Sequence, residues 1–246
     1  MKVVVIIPAA GLGTRMAAAH GGPRSKSKQF FELQGTPILV HTLRKFARCK
    51  EISEIVVALR NSETAIFQKQ IENENFGQAL RVVEGGEHRQ NSVANAIAAL
   101  SAADDDIVLV HDAVRPFVEQ ETIVNVVEAV KKFDAAIAAI PAVDTVKQVD
   151  RTADGAVVIA TVPRERMVLA QTPQGFRFGL LKKAFDEAMA DGFMGTDEAS
   201  LIERSGAPVH VVMGSPRNMK ITTPADLELA EFFLSLENRR EVSLSG

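Results

Sequence analysis

Directly behind the apolar run at residues 3–7 the chain reads 8-PAAGLGTRMAAAHGGPRSKSKQF-30, which joins Gly11 and Gly13 to Arg15, Arg24, Lys26 and Lys28, and no Asp or Glu precedes Glu32. Small residues at the carboxyl end of a strand let backbone N–H groups approach an anion, and cations beside them offset its charge. The combination suits a bound polyphosphate. The dinucleotide fingerprint GxGxxG is incomplete because Met16 stands at its third glycine position, and GxxxxGK[ST] does not occur here. A tight strand-to-helix turn and a solvated basic loop remain open readings of the same residues.

A second constellation, 111-HDAVRP-116, closes the apolar run at 106–110. A carboxylate at the end of such a strand is placed to hold Mg²⁺, directly or through water, and Arg115 to meet a second anion. The alternative is that Asp112 and Arg115 pair with each other and cap the following helix. His111 reads as a structural hydrogen-bonding residue rather than a base.

These residues need strands to carry them. Short β-branched runs recur at 3–7, 54–59, 80–84, 106–111, 135–141 and 209–213, with helical spacing between them, as in Val40, Leu43, Phe46 and Ala47 or Val93, Ala96, Ile97 and Leu100. Alternation of this kind predicts an α/β fold with a mainly parallel sheet and helices on both faces. The rhythm breaks between Val143 and Gln171, where alternating stretches flank Asp154–Gly155, a turn signal; this predicts a β-hairpin inserted into the domain. A two-stranded ribbon is marginal alone, so it must pack on something, and another subunit is a reasonable candidate. A helix is predicted from Thr223 through PADLELAEFFLSL, with Pro224 in its first turn; the tail 237–246, ENRREVSLSG, lacks apolar periodicity and is expected to be frayed and flexible.

The 246 residues suffice for one large domain, expected over 1–236. A formal net charge of −3 argues against a general nucleic-acid or membrane-surface binder, so the cationic cluster is local. Cys49 is the one cysteine, which excludes an intrachain disulfide and a zinc site of paired cysteines, and suits a reducing, cytoplasmic setting. Lys2 and the following apolar run look like the start of a secretory leader, but Pro8, Gly11, Gly13 and Arg15 interrupt it too early.

Taken in order, PAAGLGTRM, KQF, GGEHRQNSV, HDAVRPF, DTVK, QTPQGF, TDEAS and NMKIT resemble the 2-C-methyl-D-erythritol 4-phosphate cytidylyltransferases of the non-mevalonate isoprenoid pathway, over nearly the whole chain. The resemblance implies a Rossmann-like nucleotidyltransferase fold whose β-arm, here at about 143–171, reaches across a homodimer. It implies attack of the acceptor phosphate on the α-phosphorus of CTP with Mg²⁺ or another divalent cation present. Carried onto this sequence, it assigns Ala9, Ala10, Gly11 and Gly13 to backbone contacts with CTP, and Arg15, Lys28 and Lys220 to its phosphates as catalytic cations. Gly86 and Ser92 fall at cytosine and ribose, and Asp112, Arg115, Thr145, Arg164, Thr172 and Thr196 at the acceptor, with Thr145 and Arg164 serving the neighbouring subunit. Asp112 is the implied metal ligand. Ser27 departs from the proline common before the motif lysine, which lets Lys26 compete with Lys28, and Glu87 stands where Asp is common. Ribitol-5-phosphate cytidylyltransferase and, more remotely, a sugar-1-phosphate nucleotidyltransferase share the general pattern.

Overall fold

The computed structural model describes residues 1–11 and 27–244, with side chains as far as Arg239. An inner strand of its main sheet is β1 (Val3–Pro8), whose residues from Val3 to Ile7 are buried on both faces. Val3, Val5 and Ile7 share one apolar cluster with Leu39, Leu43 and Phe46 of helix α1 (Ile38–Ala47) and with Ile123, Val126, Val127 and Val130 of α4 (Gln120–Phe133). Val4 and Ile6 point the other way, into a cluster with Val93, Ala96 and Ile97 of α3 (Arg89–Ala99) and Leu181, Ala184 and Phe185 of α5 (Phe178–Ala190). Strand side chains alternate between faces, so a run that is apolar at every position must be covered on both.

Around β1 the sheet grows by parallel pairing: β4 (Glu54–Leu59) on one side with β5 (Ala79–Glu84) beyond it, and β6 (Ile107–Val110) on the other. Helix α2 (Asn61–Gln70) connects β4 to β5. Among the described residues seven strands form this sheet, which continues past β6 through β10 (Val168–Arg177) and β7 (Ala135–Pro141) to β11 (His210–Met213). The six apolar runs of the sequence account for all of these except β10. That strand is antiparallel to both neighbours, β6 and β7. It contains QTPQGF, and its inner polar residues Gln171, Thr172 and Gln174 are buried. Gly175 explains how α4 lies so close to it: a Cβ there would stand 2.8 Å from Leu109 Cδ2 and Val130 Cγ2.

The inserted hairpin is present as β8 (Val146–Thr152) and β9 (Gly155–Val162), an antiparallel pair that forms its own sheet. A smaller pair, β2 (Glu32–Leu33) and β3 (Thr36–Pro37), leads into α1. Leu33 and Ile38 pack there with Val114, Phe117, Ile221, Ala230 and Leu234. The last two belong to α7 (Pro224–Leu244), which runs well past the end expected from apolar spacing. Polar tethers account for the extension: Glu237 pairs with Lys45 at 2.9 Å, and Asn238 donates to the Gln34 side chain at 2.9 Å. Helix α6 (Glu198–Arg204) begins at Asp197, whose carboxylate accepts from the Ser200 N–H at 3.0 Å.

Candidate active site

The carboxyl ends of β1 and β6, the start of α3 and the loop before α7 meet at two adjoining clefts. The first is lined by Pro8, Ala9, Ala10, Gly11, Lys28, Gly86, Ser92, Asp112 and Lys220, among others. The second is lined by Arg115, Thr172, Thr196 and Asp197, again with Asp112 and Lys220. Open α/β sheets bind ligands beyond the carboxyl ends of their strands, because there the loops diverge and backbone donors face outward. Gly13 and Arg15, assigned to the nucleotide from sequence, lie outside the described residues.

Around the first cleft the backbone is held from behind. Arg60 Nε donates to the Ala10 carbonyl at 2.7 Å, and the Gln29 amide donates to the Ala9 carbonyl. Gly86 has Asn91 Cβ only 2.3 Å from where its own Cβ would be, so any larger residue would push this wall into the helix. The Ser92 hydroxyl accepts from Gly86 N–H at 3.0 Å and donates to the His88 carbonyl at 3.1 Å. Ser92 therefore shapes the glycine turn in addition to lining the cleft.

Asp112 stands in the wall common to both clefts. Its Oδ1 accepts from Arg89 Nε at 3.3 Å; its Oδ2 meets Arg115 Nε at 3.1 Å and Lys220 Nζ at 3.0 Å. Burial alone would push this carboxyl up, but Arg89, Lys220 and Arg115 more than reverse that and hold it well below the usual carboxylate range. The pairing of Asp112 with Arg115 expected as an alternative is present, but it caps no helix, since α4 begins only at Gln120. With both oxygens already facing cations, Asp112 does not fit a metal ligand as it stands, because a dication would be repelled by the groups it must displace. Among the described residues there is no cluster of three or more His, Cys, Asp or Glu able to hold an ion.

Arg89, in GGEHRQNSV, and Glu198, in TDEAS, belong to the same array. Arg89 Nη1 donates to both Glu198 oxygens, at 2.6 and 2.9 Å, and Glu198 is 1% exposed. Burial raises the Glu198 carboxyl and Arg89 offsets this only in part. The signal available in sequence was an Arg at the start of a helix behind two glycines and a Glu in an acidic helix start. Neither identifies the other across 109 positions.

His111 is buried and connects the site to its support. A carbonyl only accepts, so His111 Nε2 carries the proton that reaches the Arg115 oxygen at 3.1 Å, and Nδ1 is the acceptor for the Thr172 hydroxyl at 3.0 Å. The same hydroxyl accepts the Asp112 N–H at 3.1 Å. Burial, the largest influence, pulls the imidazole down to about 4, against a smaller upward effect of the bond to Arg115. His111 thus holds Asp112, Arg115 and Thr172 in register through both ring nitrogens.

Thr145 and Arg164 do not line the acceptor cleft of their own chain. They sit at the root of the hairpin rather than on its strands: Thr145 just before β8, and Arg164 in the short 3-10 turn Arg164–Arg166 after β9, donating to the Val143 carbonyl at 2.8 Å.

Comparison with known proteins gives a consistent result. The family model for 2-C-methyl-D-erythritol 4-phosphate cytidylyltransferase matches residues 3–236. A curated relative of that name from Acidobacterium capsulatum is 57% identical, covering 98% of this chain and 100% of its own, and one from Solibacter usitatus is 51% identical, covering 98% of each. Among solved structures, 4-diphosphocytidyl-2C-methyl-D-erythritol synthase from Anaerococcus prevotii superposes with a TM-score of 0.81 at 31% identity, over 95% of this chain and 96% of its own. The Francisella tularensis 2-C-methyl-D-erythritol 4-phosphate cytidylyltransferase gives 0.77 at 38% identity, over 94% and 99%. A glycine-lined cleft joined to an arginine- and threonine-lined one through a shared Asp–Lys wall, in a chain matched almost end to end, places this protein in the 2-C-methyl-D-erythritol 4-phosphate cytidylyltransferase family.

Proposed function

We propose that CTP occupies the first cleft and the acceptor phosphate the second in the reaction this family carries out, which joins CTP and 2-C-methyl-D-erythritol 4-phosphate to give 4-diphosphocytidyl-2-C-methyl-D-erythritol and pyrophosphate. The observation that carries the assignment is the wall of Arg89, Asp112 and Lys220 lining both clefts. A nucleophile held on one side and an electrophile on the other meet there, as in-line displacement requires. An acceptor phosphate oxygen attacks the α-phosphorus, the bond from that phosphorus to the oxygen bridging the β-phosphate breaks, and pyrophosphate leaves with the electron pair.

The backbone of Ala9, Ala10 and Gly11, with Gly13 beyond, orients the triphosphate, and Arg15, Lys28 and Lys220 neutralise the charge that builds on the equatorial oxygens. Gly86 and Ser92 form the edge against which the pyrimidine and ribose fit. Arg115 and Thr196 hold the acceptor phosphate, while Thr172, whose hydroxyl proton is committed to His111, lines the cleft and fixes the Asp112 backbone beside it. A phosphate monoester is largely dianionic at neutral pH, so no protein base is needed, which agrees with a neutral, buried His111. A divalent cation, in our reading Mg²⁺, arrives on the triphosphate rather than on a protein cage.

Apolar side chains are exposed on the arm (Val149, Val157, Val158 and Ile159), on β10 (Val168 and Leu169) and on the edge strand β11 (Val211 and Met213). Apolar exposure of this kind marks an interaction face. It supports a homodimer in which Thr145 and Arg164 complete the partner's acceptor cleft. Among the described residues no helix is long and apolar enough to cross a membrane. The single cysteine supports a reducing, cytoplasmic setting, and the net charge of −3 argues against a nucleic-acid partner.

The test is pyrophosphate release from CTP and Mg²⁺ with methylerythritol 4-phosphate against ribitol 5-phosphate. Release with the first alone is expected. Release with ribitol phosphate alone would retain the two clefts and overturn the acceptor.

A further inference from the structure

The residues on either side of Lys28 reach one side chain that belongs to neither cleft. Ser27 is buried, and its hydroxyl donates to Glu63 Oε1. Gln29 is buried, and its amide nitrogen donates both to the Ala9 carbonyl and, at 3.5 Å, to Glu63 Oε2. Glu63 lies in the first turn of α2 and is 8% exposed, yet it lines neither the nucleotide nor the acceptor cleft. One turn earlier, Arg60 holds the Ala10 carbonyl. The start of α2 therefore grips the cleft on both sides, the carbonyls of Ala9 and Ala10 opposite and the short turn Lys28–Phe30 that carries the lysine.

A lysine has four rotatable bonds and no planar fork, so where its charge stands depends on where its backbone is fixed. Here two side-chain hydrogen bonds flanking Lys28 converge on a single carboxylate, and one of the donors also touches the carbonyl of Ala9, a residue assigned to the nucleotide. We propose that Glu63 is a positioning residue for the reaction: it clamps Ser27 and Gln29 so that the Lys28 backbone keeps a set distance from Ala9 and Ala10, and the ammonium meets the phosphate oxygens without searching. The proposal rests on Lys28 acting on the triphosphate, as assigned above.

Glu63→Leu keeps a side chain of similar bulk but removes both acceptors, and Ser27→Ala deletes one hydroxyl. The test is turnover by pyrophosphate release on the full chain with saturating CTP and methylerythritol 4-phosphate, beside thermal melting and the KM of the acceptor. Each variant is expected to melt as a folded protein and to lower kcat about tenfold, because small misplacements of a catalytic charge cost that order, while the acceptor KM stays unchanged. Residues acting through one another are not additive, so in a Lys28→Ala background the same substitutions should change kcat less than about twofold. A full tenfold loss in that background, or wild-type kcat in both single variants, overturns the clamp while leaving the site reading intact. Wild-type turnover in Lys28→Ala itself overturns the assignment of the lysine and the clamp with it.

Discussion

The buried imidazole of His111 gives the stability of this protein a pH dependence that can be worked from its contacts. Its neutral form donates from Nε2 to the Arg115 carbonyl and accepts at Nδ1 from Thr172, so a second proton at Nδ1 would leave the Thr172 hydroxyl hydrogen without its acceptor. The folded-state value near 4 lies below the unfolded value of 6.5, so between these two pH values the unfolded chain takes up a proton that the folded chain refuses. Stability is thus fully present above 6.5 and is lost as pH falls toward 4, to the extent of roughly 3 kcal/mol. Asp112 contributes with the same sign only lower, since its carboxyl is held below the ordinary range; Glu198, whose carboxyl is raised, acts with the opposite sign. Comparing wild type with His111→Gln, which keeps a donor for the Arg115 carbonyl and does not titrate, removes both. Urea unfolding at intervals between pH 7 and pH 4 is expected to show the wild type losing about 3 kcal/mol more than the variant. Parallel pH profiles for the two proteins would refute the reasoning.

Lys220→Ala removes one of the two cations, with Arg89, that line both clefts and is expected to lower kcat by about 10²- to 10³-fold with the fold retained, as measured by pyrophosphate release and circular dichroism; a loss under about fivefold would remove Lys220 from the reacting centre. Gly175→Ala puts a methyl group against Leu109, Val126 and Val130, and a melting or urea midpoint should report about 1–3 kcal/mol of destabilisation, whereas an unchanged midpoint would mean that α4 has room to give way. Arg164→Ala chains mixed with Lys28→Ala chains should recover activity through heterodimers with one intact site. No recovery at any ratio would assign the arm to its own subunit.

Much of this protein was determined by sequence alone, because the relevant signals are local. Val3–Ile7, Glu54–Leu59 and Ala135–Pro141 are apolar at nearly every position, and only a doubly covered strand uses such a run. Asp154–Gly155 between alternating stretches signalled the hairpin for the same reason, since a tight turn is a matter of backbone angles over a few residues; the two loop residues are Ala153 and Asp154, and Gly155, at φ 141°, opens β9. What only the tertiary structure decided depends on partners far along the chain. Strand β10 has no clean apolar alternation because Gln171 and Gln174 are buried with remote partners: the Ser215 carbonyl at 2.9 Å for one, and the Asp197 carboxylate at 2.8 Å with the Ala199 N–H at 3.1 Å for the other. Helix α7 outruns its apolar face because Lys45 and Gln34 wait for Glu237 and Asn238. The Arg89–Glu198 pair and the convergence of Arg89, Arg115 and Lys220 on Asp112 are likewise invisible to periodicity. Burial leaves a one-dimensional pattern because water is excluded residue by residue, whereas a buried polar group is satisfied by whichever donor or acceptor the fold brings within 3 Å or so, and no spacing rule encodes that.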